Sequence, residues 1–356
     1  MSISSSSKVN IYTVSSNSIG SELRAEWLRI WQGNPKIRSA FFHPEFTLVL
    51  GQTMRNVHVA VVVDRNETPL AFFPFHKTCR EIGSALQICD FQGVISAPHF
   101  RFDARKLIKA CGLRSLSFDH LLASDGVFFG FDEYREQSAA IDIGSGFDVY
   151  LSTISESGRR LFAKAATSER KVLKDLGQLR FEVDTSESDV MDAMHRWRAA
   201  KYGSVPVWVR DALNIFRDYR DTEFSGVLSS IYGGDKLLAA HFGIKSNGRL
   251  HWWFPAYNPT YANYGPGIQL LRKFLEQAGN AGVNWIDLGK GRQSYKERFG
   301  NVSIEVASGS VDRIGIETIP RIVSKKIRKA IRGNPRLLKI SQSAKRVVGF
   351  VSMPDS

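Results

Sequence analysis

The segment from Tyr261 to Lys296 constrains the fold of this chain more than any other. It reads YANYGPGIQLLRKFLEQAGNAGVNWIDLGKGRQSYK, with a Gly-Pro-Gly turn at residues 265–267, an amphipathic helix and a short strand that carries Asp287. The first N–H groups of a helix have no intrahelical partner, and the helix dipole adds positive potential there. Glycines before such a helix let a phosphate approach the backbone. The segment therefore indicates a ligand site as well as a fold.

Length and composition limit the class of protein. A chain of 356 residues, 43% of them apolar, predicts two compact domains with proper cores. No run approaches the roughly 18–20 apolar residues of a membrane span. The polar start, MSISSSSKVN, lacks an apolar signal core, so we expect a short disordered lead on a cytoplasmic protein. Cys79, Cys89 and Cys111 have unrelated spacings, which predicts reduced thiols and neither a disulfide framework nor a metal site.

The positive charge is concentrated at the C-terminus. Residues 311–356 hold eleven Lys and Arg against three acidic residues, a net charge of +8 out of a total of +13. The high pI is thus largely a property of this tail, and it does not make nucleic acid an expected partner. In IVSKKIRKAIRGN, Val323, Ile327 and Ile331 form one stripe among basic residues. Such a helix can lie on anionic lipid, while folding back or disorder are equally open alternatives.

The pattern of apolar residues predicts an α+β fold. We expect a helix over residues 21–32, a hairpin over 57–78, a short helix over 103–113, and brief strands at Leu116–Phe118 and Val127–Phe131. From about Asp142 onward the predicted order is helices, strand, helix, three antiparallel strands, helix and strand. An antiparallel meander followed by a crossover helix is typical of α+β domains.

Five short motifs in this order resemble the GNAT acyltransferase superfamily, and within it the CelD-like, Fem-related family associated with polysaccharide biosynthesis. The stretches that carry the resemblance are the basic helix in 158–180, GGDKLLAA (233–240), the aromatic strand 252–261, the turn 265–267 and 287–299. Gly265 stands where the family often has Ser. The resemblance implies tandem GNAT-like domains, each a mixed, largely antiparallel sheet flanked by helices. We expect a degenerate copy at 1–145, an acyltransferase domain at 146–310 and a basic tail at 311–356.

The resemblance also implies that acyl-CoA is the co-substrate. The turn from Tyr264 and Gly265 to Gly267 and Ile268 is expected to hold its pyrophosphate, with contacts from the N–H groups of Gly267 and Ile268. The alternative is an ordinary helix start, since Pro is favoured early in helices. Lys296 is expected to contact an anion, either CoA phosphate or an acidic acceptor, and an ordinary surface charge is the alternative. Backbone near residues 253–256 is expected to bind the thioester carbonyl.

Three residues are candidates for the chemistry. His241 lies on a predicted central strand and is either a general base for an attacking amine or a satisfied structural group. Asp287 ends the strand after the helix, where it either orients the acceptor or caps the following turn. Tyr257 is expected to line the acyl groove or simply to pack, and a tyrosine hydroxyl there is able to protonate the leaving thiolate.

These observations leave three functions open. The first is transfer of an acyl group from acyl-CoA to an amine or hydroxyl of a small or glycan-precursor acceptor. The second is Fem-like transfer from aminoacyl-tRNA, against which stands the absence of a long helical hairpin in residues 185–224. The third is a non-catalytic scaffold of a polysaccharide assembly complex, which the lack of an unmistakable base keeps open.

Overall fold

The computed structural model describes residues 9–313 except residues 80, 129, 221–222 and 292–293. The polar lead of the first eight residues lies outside the described residues. So does the basic tail from residue 314 onward, including the predicted surface helix.

The first half of the chain alternates strands with short helices. Its elements are β1 (Asn10–Ser15), α1 (Ser21–Gln32), α2 (Pro44–Thr53), β2 (Val57–Val63), β3 (Pro69–Cys79), β4 (Ile82–Ala85), β5 (Ile95–Ser96), α3 (Ala104–Ala110), β6 (Ser115–Leu122) and β7 (Asp132–Asp142). The helix predicted at 21–32 and the hairpin predicted at 57–78 are confirmed. The strand predicted at Val127–Phe131 is wrong, because Asp125 Oδ1 accepts the N–H groups of Val127 and Phe128 and holds a turn there.

The second half has the predicted order with additions. Its elements are α4 (Phe147–Thr153), α5 (Glu156–Asp175), β8 (Leu179–Glu182), α6 (Ser188–Tyr202), α7 (Val207–Asp218), β9 (Ser225–Gly233), β10 (Lys236–Ser246), β11 (Arg249–Tyr257), α8 (Pro266–Glu276), β12 (Trp285–Lys290), α9 (Ser294–Phe299) and β13 (Val302–Asp312). A 3₁₀ turn over Pro259–Tyr264 leads into α8. Helices α7 and α9 and strand β13 were not predicted from the sequence.

One sheet runs through both halves and shows the duplication. Its strand order is β1-β2-β3-β4-β6-β13-β7-β12-β11-β10-β9-β8, with β5 paired to β3. In each half, four antiparallel strands are followed by a crossover helix and a strand parallel to the fourth. In the first half β4 is parallel to β6, and in the second half β11 is parallel to β12. The predicted α+β class is confirmed, and the repeat of this unit gives the tandem layout.

The two halves exchange their last strands. Strand β7 follows β6 in the chain but pairs with β12, whereas β13 follows β12 but pairs with β6. Strands β7 and β13 also pair with each other along most of their lengths. Each half therefore closes its sheet with a strand from the other half, across the domain boundary predicted near residue 145.

Strand β11 separates from β12 soon after it begins. The two strands pair only at Arg249–His251 and Trp285–Asp287. On the other side of β11, the three steps from His251 to Phe254 face only two steps of β10, from Ile244 to Phe242. This extra residue is a β-bulge, which bends a strand and ends its regular pairing. We call the gap between β11 beyond His251 and β12 beyond Asp287 the fork.

The largest core cluster contains side chains from both halves. Phe46 of α2 stacks on Phe216 of α7 with ring centroids 5.3 Å apart, and both rings lie near Trp253 of β11. Residues 59–63 of β2 are all apolar because both faces of the strand are covered. Val59 and Val61 pack into this shared cluster, while Val62 packs into a second cluster on the opposite face of the sheet.

The exchanged strands and the shared core predict that both halves unfold together. We expect the full chain to show one calorimetric transition, with a calorimetric enthalpy equal to the van't Hoff enthalpy. Phe46→Ala removes a fully buried ring and should destabilise by about 3–5 kcal/mol. It should move the whole transition to lower temperature, although Phe46 belongs to the first half. Two resolved transitions, with only one of them shifted by the substitution, would contradict this prediction.

Candidate functional site

A cavity of about 330 Å³ lies where β11, α8, α9 and the end of α6 meet. We call it the Gly267 cavity. It is lined by Lys201, Tyr202, Trp252, Pro255, Ala256, Tyr257, Ala262, Gly265, Pro266, Gly267, Ile268, Leu270, Leu271 and Tyr295. Its walls are largely apolar, with a few polar groups at its ends, which is typical of small-molecule sites. Of the predicted site residues, it contains Tyr257, Gly265, Gly267 and Ile268.

The glycine turn offers the cavity one free backbone donor. Gly265 has φ +64°, ψ 43°, in the left-handed region that glycine adopts without strain. Its carbonyl accepts the N–H groups of Ile268 and Gln269, each at 3.1 Å. Pro266 has no N–H, so Gly267 carries the N–H at this helix start that donates to no described backbone acceptor. Of the two N–H groups predicted to meet a phosphate, that of Ile268 is already bonded within the protein.

Tyr264 fixes this turn from behind. Its hydroxyl donates to Asp175 of α5 at 3.0 Å, and its carbonyl accepts the Ser168 hydroxyl and the Gln269 side chain. Tyr264 is outside the residues that line the cavity. The structure therefore places it as a brace between the basic helix α5 and the start of α8.

A second cavity of about 280 Å³ adjoins the first. We call it the Trp197 cavity, and it is lined by Trp197, Arg198, Ala200, Lys201, Tyr202, Pro255, Ala256, Tyr257 and Pro259. The described linings of both cavities contain Arg198 and Lys201 but no carboxylate and no imidazole. The site is thus electropositive.

Arg198 connects α6 to the open side of β11. Its Nη1 donates to the Pro255 carbonyl at 3.1 Å, and its guanidinium lies 4.6 Å from the centre of the Phe254 ring. Burial lowers the pKa of Arg198, and its buried Nε has no hydrogen-bond partner among the described residues.

Three tyrosines line the Gly267 cavity, namely Tyr202, Tyr257 and Tyr295. Tyr257 is 38% exposed, and a Cβ built on Gly267 would lie 3.6 Å from its ring. Tyr295 of α9 is partly buried, and burial raises the pKa of its phenol to about 12. An anion contact was predicted from the sequence for Lys296, whereas no role was predicted for Tyr295. The signal was present, because Tyr295 belongs to the same glycine-rich motif that begins at Asp287.

His241 lies in the core and does not line either cavity. Its ring is fully buried, stacks on Trp252 at 3.6 Å between centroids, and meets Phe274 edge-on. Burial lowers the pKa of His241 to about 3. The imidazole is therefore neutral at physiological pH, and acceptor molecules do not reach it in this packing.

Asp287 belongs to a buried polar cluster at the base of the fork. Its Oδ1 accepts Trp285 Nε1 at 2.9 Å, and its Oδ2 lies 3.6 Å from His251 Nε2. The same nitrogen lies 2.8 Å from the Ser39 hydroxyl. Burial raises the pKa of Asp287 and lowers that of His251, which favours the neutral form of both. Serine and carboxylate approach one and the same nitrogen, so this cluster lacks the relay geometry of a nucleophilic triad.

Lys296 binds backbone at the end of β12. Its Nζ donates to the carbonyls of Gly289 at 3.0 Å and Lys290 at 2.7 Å, and the residue is 7% exposed. It faces a polar groove of about 560 Å³ between β7, β13 and α9, and it is not part of the Gly267 cavity. Two of its three N–H donors are thus occupied by the protein.

The histidines, cysteines and carboxylates of the described residues form no cluster that would hold a metal ion. Among the same residues, no helix combines the length and the apolar character needed to cross a membrane.

The burial of His241 predicts a pH dependence of stability. Between pH 6.5 and about pH 3 the unfolded histidine binds a proton that the folded one does not, so stability falls as pH falls. The slope from this residue reaches about 1.4 kcal/mol per pH unit. We expect urea unfolding to give a shallower slope for His241→Phe than for the wild type between pH 6 and 4. Their slopes should agree between pH 7 and 8, where His241 is neutral in both states, and equal slopes in the acid range would contradict the prediction.

Comparison with known proteins agrees with this geometry. Residues 160–297 match the family described as Acetyltransferase (GNAT) domain. The fold resembles that of FemX, with a TM-score of 0.56 and 9% identity over 84% of this chain and 98% of that chain. A conserved protein of unknown function from Bacteroides thetaiotaomicron gives a TM-score of 0.53 and 9% identity over 81% and 97%. The L-PGS structure from Bacillus licheniformis gives a TM-score of 0.50 and 12% identity, over 86% of this chain and 96% of that chain.

At these identities the likeness shows the fold alone, and the comparison with curated proteins gave no match. The family match and the repeated strand topology both bear on the second half of the chain. Residues 160–297 match a GNAT acetyltransferase domain, and they lie within a two-copy fold like that of FemX.

Proposed function

We propose that this protein transfers an acyl group from acyl-CoA to an amine. The observation that carries the proposal is the Gly267 cavity. The N–H of Gly267, which donates to no described backbone acceptor, and the phenol of Tyr295 both line it. A GNAT domain supports transferase activity, and the cavity lies where β11 and α8 of that domain meet.

The glycine turn and Lys201 are the proposed contacts of the CoA pyrophosphate. The Gly267 N–H sits at the positive end of the α8 dipole, and Lys201 lines the same cavity. Lys201 is exposed and forms no ion pair with the described residues, so its charge is available to a phosphate. The apolar wall of Trp252, Leu270 and Leu271 suits the uncharged part of a CoA molecule.

The open side of β11 is the proposed binding edge for the thioester. The N–H of Asn258 donates to Leu238 of β10 at 2.8 Å, and Ala256 pairs with Ala240. Because backbone groups alternate along a strand, Pro255 and Tyr257 face the fork. Pro255 has no N–H, and its carbonyl is taken by Arg198. The N–H of Tyr257 is therefore the proposed donor to the thioester carbonyl, just beyond the range 253–256 expected from the sequence.

Tyr295 is the proposed general acid. A phenol with a pKa raised to about 12 stays protonated at neutral pH, so it holds a proton for the departing thiolate. Tyr257 borders the same cavity but is more exposed, and it serves better as a wall of the groove.

The charges favour an amine as the acceptor. Arg198 and Lys201 disfavour an ammonium ion beside them, so an amine would bind there in its neutral, nucleophilic form. The resemblance to CelD-like proteins supports a glycan precursor as the acceptor, in polysaccharide or cell-envelope biosynthesis.

Calorimetric titration with CoA and acetyl-CoA tests the donor. Gly267→Glu places a carboxylate at the start of α8, where the added Cβ meets only an ordinary contact with Tyr257. We expect wild-type protein to bind both ligands and the variant to lose at least about tenfold in affinity, or ~1.4 kcal/mol. Gly279→Glu makes the same charge change at an exposed position beyond α8 and should bind as wild type. Failure of a folded wild-type protein to bind would exclude acyl-CoA as the donor.

Acetyl transfer to hydroxylamine tests whether Tyr295 is the general acid. Hydroxylamine is uncharged at neutral pH, so its use isolates protonation of the leaving thiolate from deprotonation of the acceptor. We expect Tyr295→Phe to lower kcat by about 100-fold with little change in acetyl-CoA affinity. Tyr12→Phe, on β1 at the far edge of the sheet, is the control. An unchanged kcat in Tyr295→Phe would remove Tyr295 from the chemistry.

A further inference from the structure

A loop of the first half contacts the fork at Trp253 of β11. It comprises residues 86–92, between β4 and β5. The Trp253 indole, at the bulge of β11, donates to the Ile88 carbonyl at 2.9 Å. The loop therefore contacts the site at the point where β11 leaves β12.

Gln92, the last residue of this loop, holds it in place through side-chain hydrogen bonds. Gln92 donates from Nε2 to the Leu86 carbonyl at 2.8 Å and to Asp119 Oδ1 at 2.9 Å. Its Oε1 accepts the N–H groups of Asp119 and His120 on β6. These bonds fix both ends of the loop to the sheet, so the residues between them have a defined position relative to the fork.

Asp90 projects from this loop onto β12. A Cβ built on Gly289 would lie 3.1 Å from the Asp90 carboxyl carbon, so the carboxylate rests on the glycine two residues beyond Asp287. Gly289 has φ +75°, which glycine adopts without strain. The absence of a side chain at 289 thus makes room for this carboxylate at the fork.

The Asp90 carboxylate is partly buried, and none of the described residues donates a hydrogen bond to it. Lys296 is close enough to act on it electrostatically, but its Nζ is hydrogen-bonded to the carbonyls of Gly289 and Lys290. A carboxylate that burial has partly desolvated and that lacks a donor is available to accept a proton.

We propose that Asp90 is the general base of the acyl transfer, supplied to the second half's active site by the first half. The Asp90 carboxylate takes one proton from the ammonium ion of the acceptor, and the neutral nitrogen attacks the thioester carbon. The C–N bond forms, and nitrogen releases a second proton to water. The C–S bond then breaks, and Tyr295 gives its proton to the thiolate, which leaves as free CoA thiol beside the amide product. This inference rests on the proposed function and adds the proton acceptor that the cavity walls lack.

The surrounding charges set the basicity of Asp90. The titratable groups around it are Cys89 on its own loop, Asp119 and His120 on β6, Asp287 and Lys290 on β12, and Tyr295 and Lys296 on α9. Burial raises its pKa, and His120, Lys296 and Lys290 partly offset this effect. A raised pKa brings a carboxyl group closer to the working pH, where a base is most effective.

Two nucleophiles of different basicity test this role. Acetyl transfer from acetyl-CoA is measured with hydroxylamine, and with butylamine, which is charged at neutral pH. We expect Asp90→Asn to lower transfer to butylamine by about 100-fold and transfer to hydroxylamine by less than about threefold. Asp119→Asn makes the same charge change nearby, keeps the Oδ1 acceptor for Gln92, and should behave as wild type with both. Carbon-13 NMR titration of the Asp90 carboxyl in wild-type protein should give a pKa above the usual aspartate range.

The outcomes separate the two proposals. Equal loss with both nucleophiles, or no loss with either, would overturn Asp90 as the base while leaving the acyltransferase function intact. A wild-type protein that transfers to hydroxylamine but to no charged amine at any pH would also overturn it. Absence of transfer to hydroxylamine in a protein that binds acetyl-CoA would overturn the proposed function and Asp90's role with it. An Asp90 carboxyl with an ordinary pKa would contradict the environment on which the inference depends.

Discussion

The separation of β11 from β12 is the constraint on which the rest of the site depends. Two parallel strands that stop pairing inside a protein leave carbonyl groups without ladder partners, and unpaired buried polar groups are costly. Here cationic side chains replace the missing strand partners of these carbonyls. Arg198 donates to Pro255 on β11, and Lys296 donates to Gly289 and Lys290 on β12. The fork is thus stabilised without being closed. Its inner edge stays available to a ligand, and the charges that hold it open also make the site electropositive.

Local sequence patterns predicted the elements that position the site but not the contacts between them. The turn at Gly265 and the helix after it were predictable from residue type, since glycine and early proline mark a helix start. Helix α7 was not predicted, although the sequence carries the signal for it. Apolar residues recur there at helical spacing and are buried, namely Val209, Ala212, Leu213 and Phe216. Strand β7 was not, because DEYREQSAAID is polar, and its position depends on pairing with β12 and β13. Burial likewise decides that His241 is a core residue, and no local pattern shows burial of a single histidine.

The exchange of β7 and β13 gives the first half a direct role at the site. A companion domain joined only by a linker would place the loop of Asp90 imprecisely relative to β12. Interlocked strands and the shared core of Phe46 and Phe216 fix that geometry across the sheet. Catalytic groups need positions held to within a fraction of an ångström by rigid elements. The first half contributes none of its described residues to the lining of the Gly267 cavity, yet its fold is what holds residues 86–92 against the fork.

The choice between donors turns on the shape of the second half. The Fem-like layout is a statement about fold, and at 9% identity it does not carry the donor of FemX to this chain. Between β8 and β9 the chain forms α6 of 15 residues and α7 of 12, both packed on the sheet, rather than a long projecting hairpin. The electropositive groups at the site lie around cavities of about 330 and 280 Å³, a scale that suits a small donor and a small acceptor. A pure scaffold would have no need for a half-open fork beside a carboxylate that receives no hydrogen bond from the described residues, because both features cost stability when no ligand uses them.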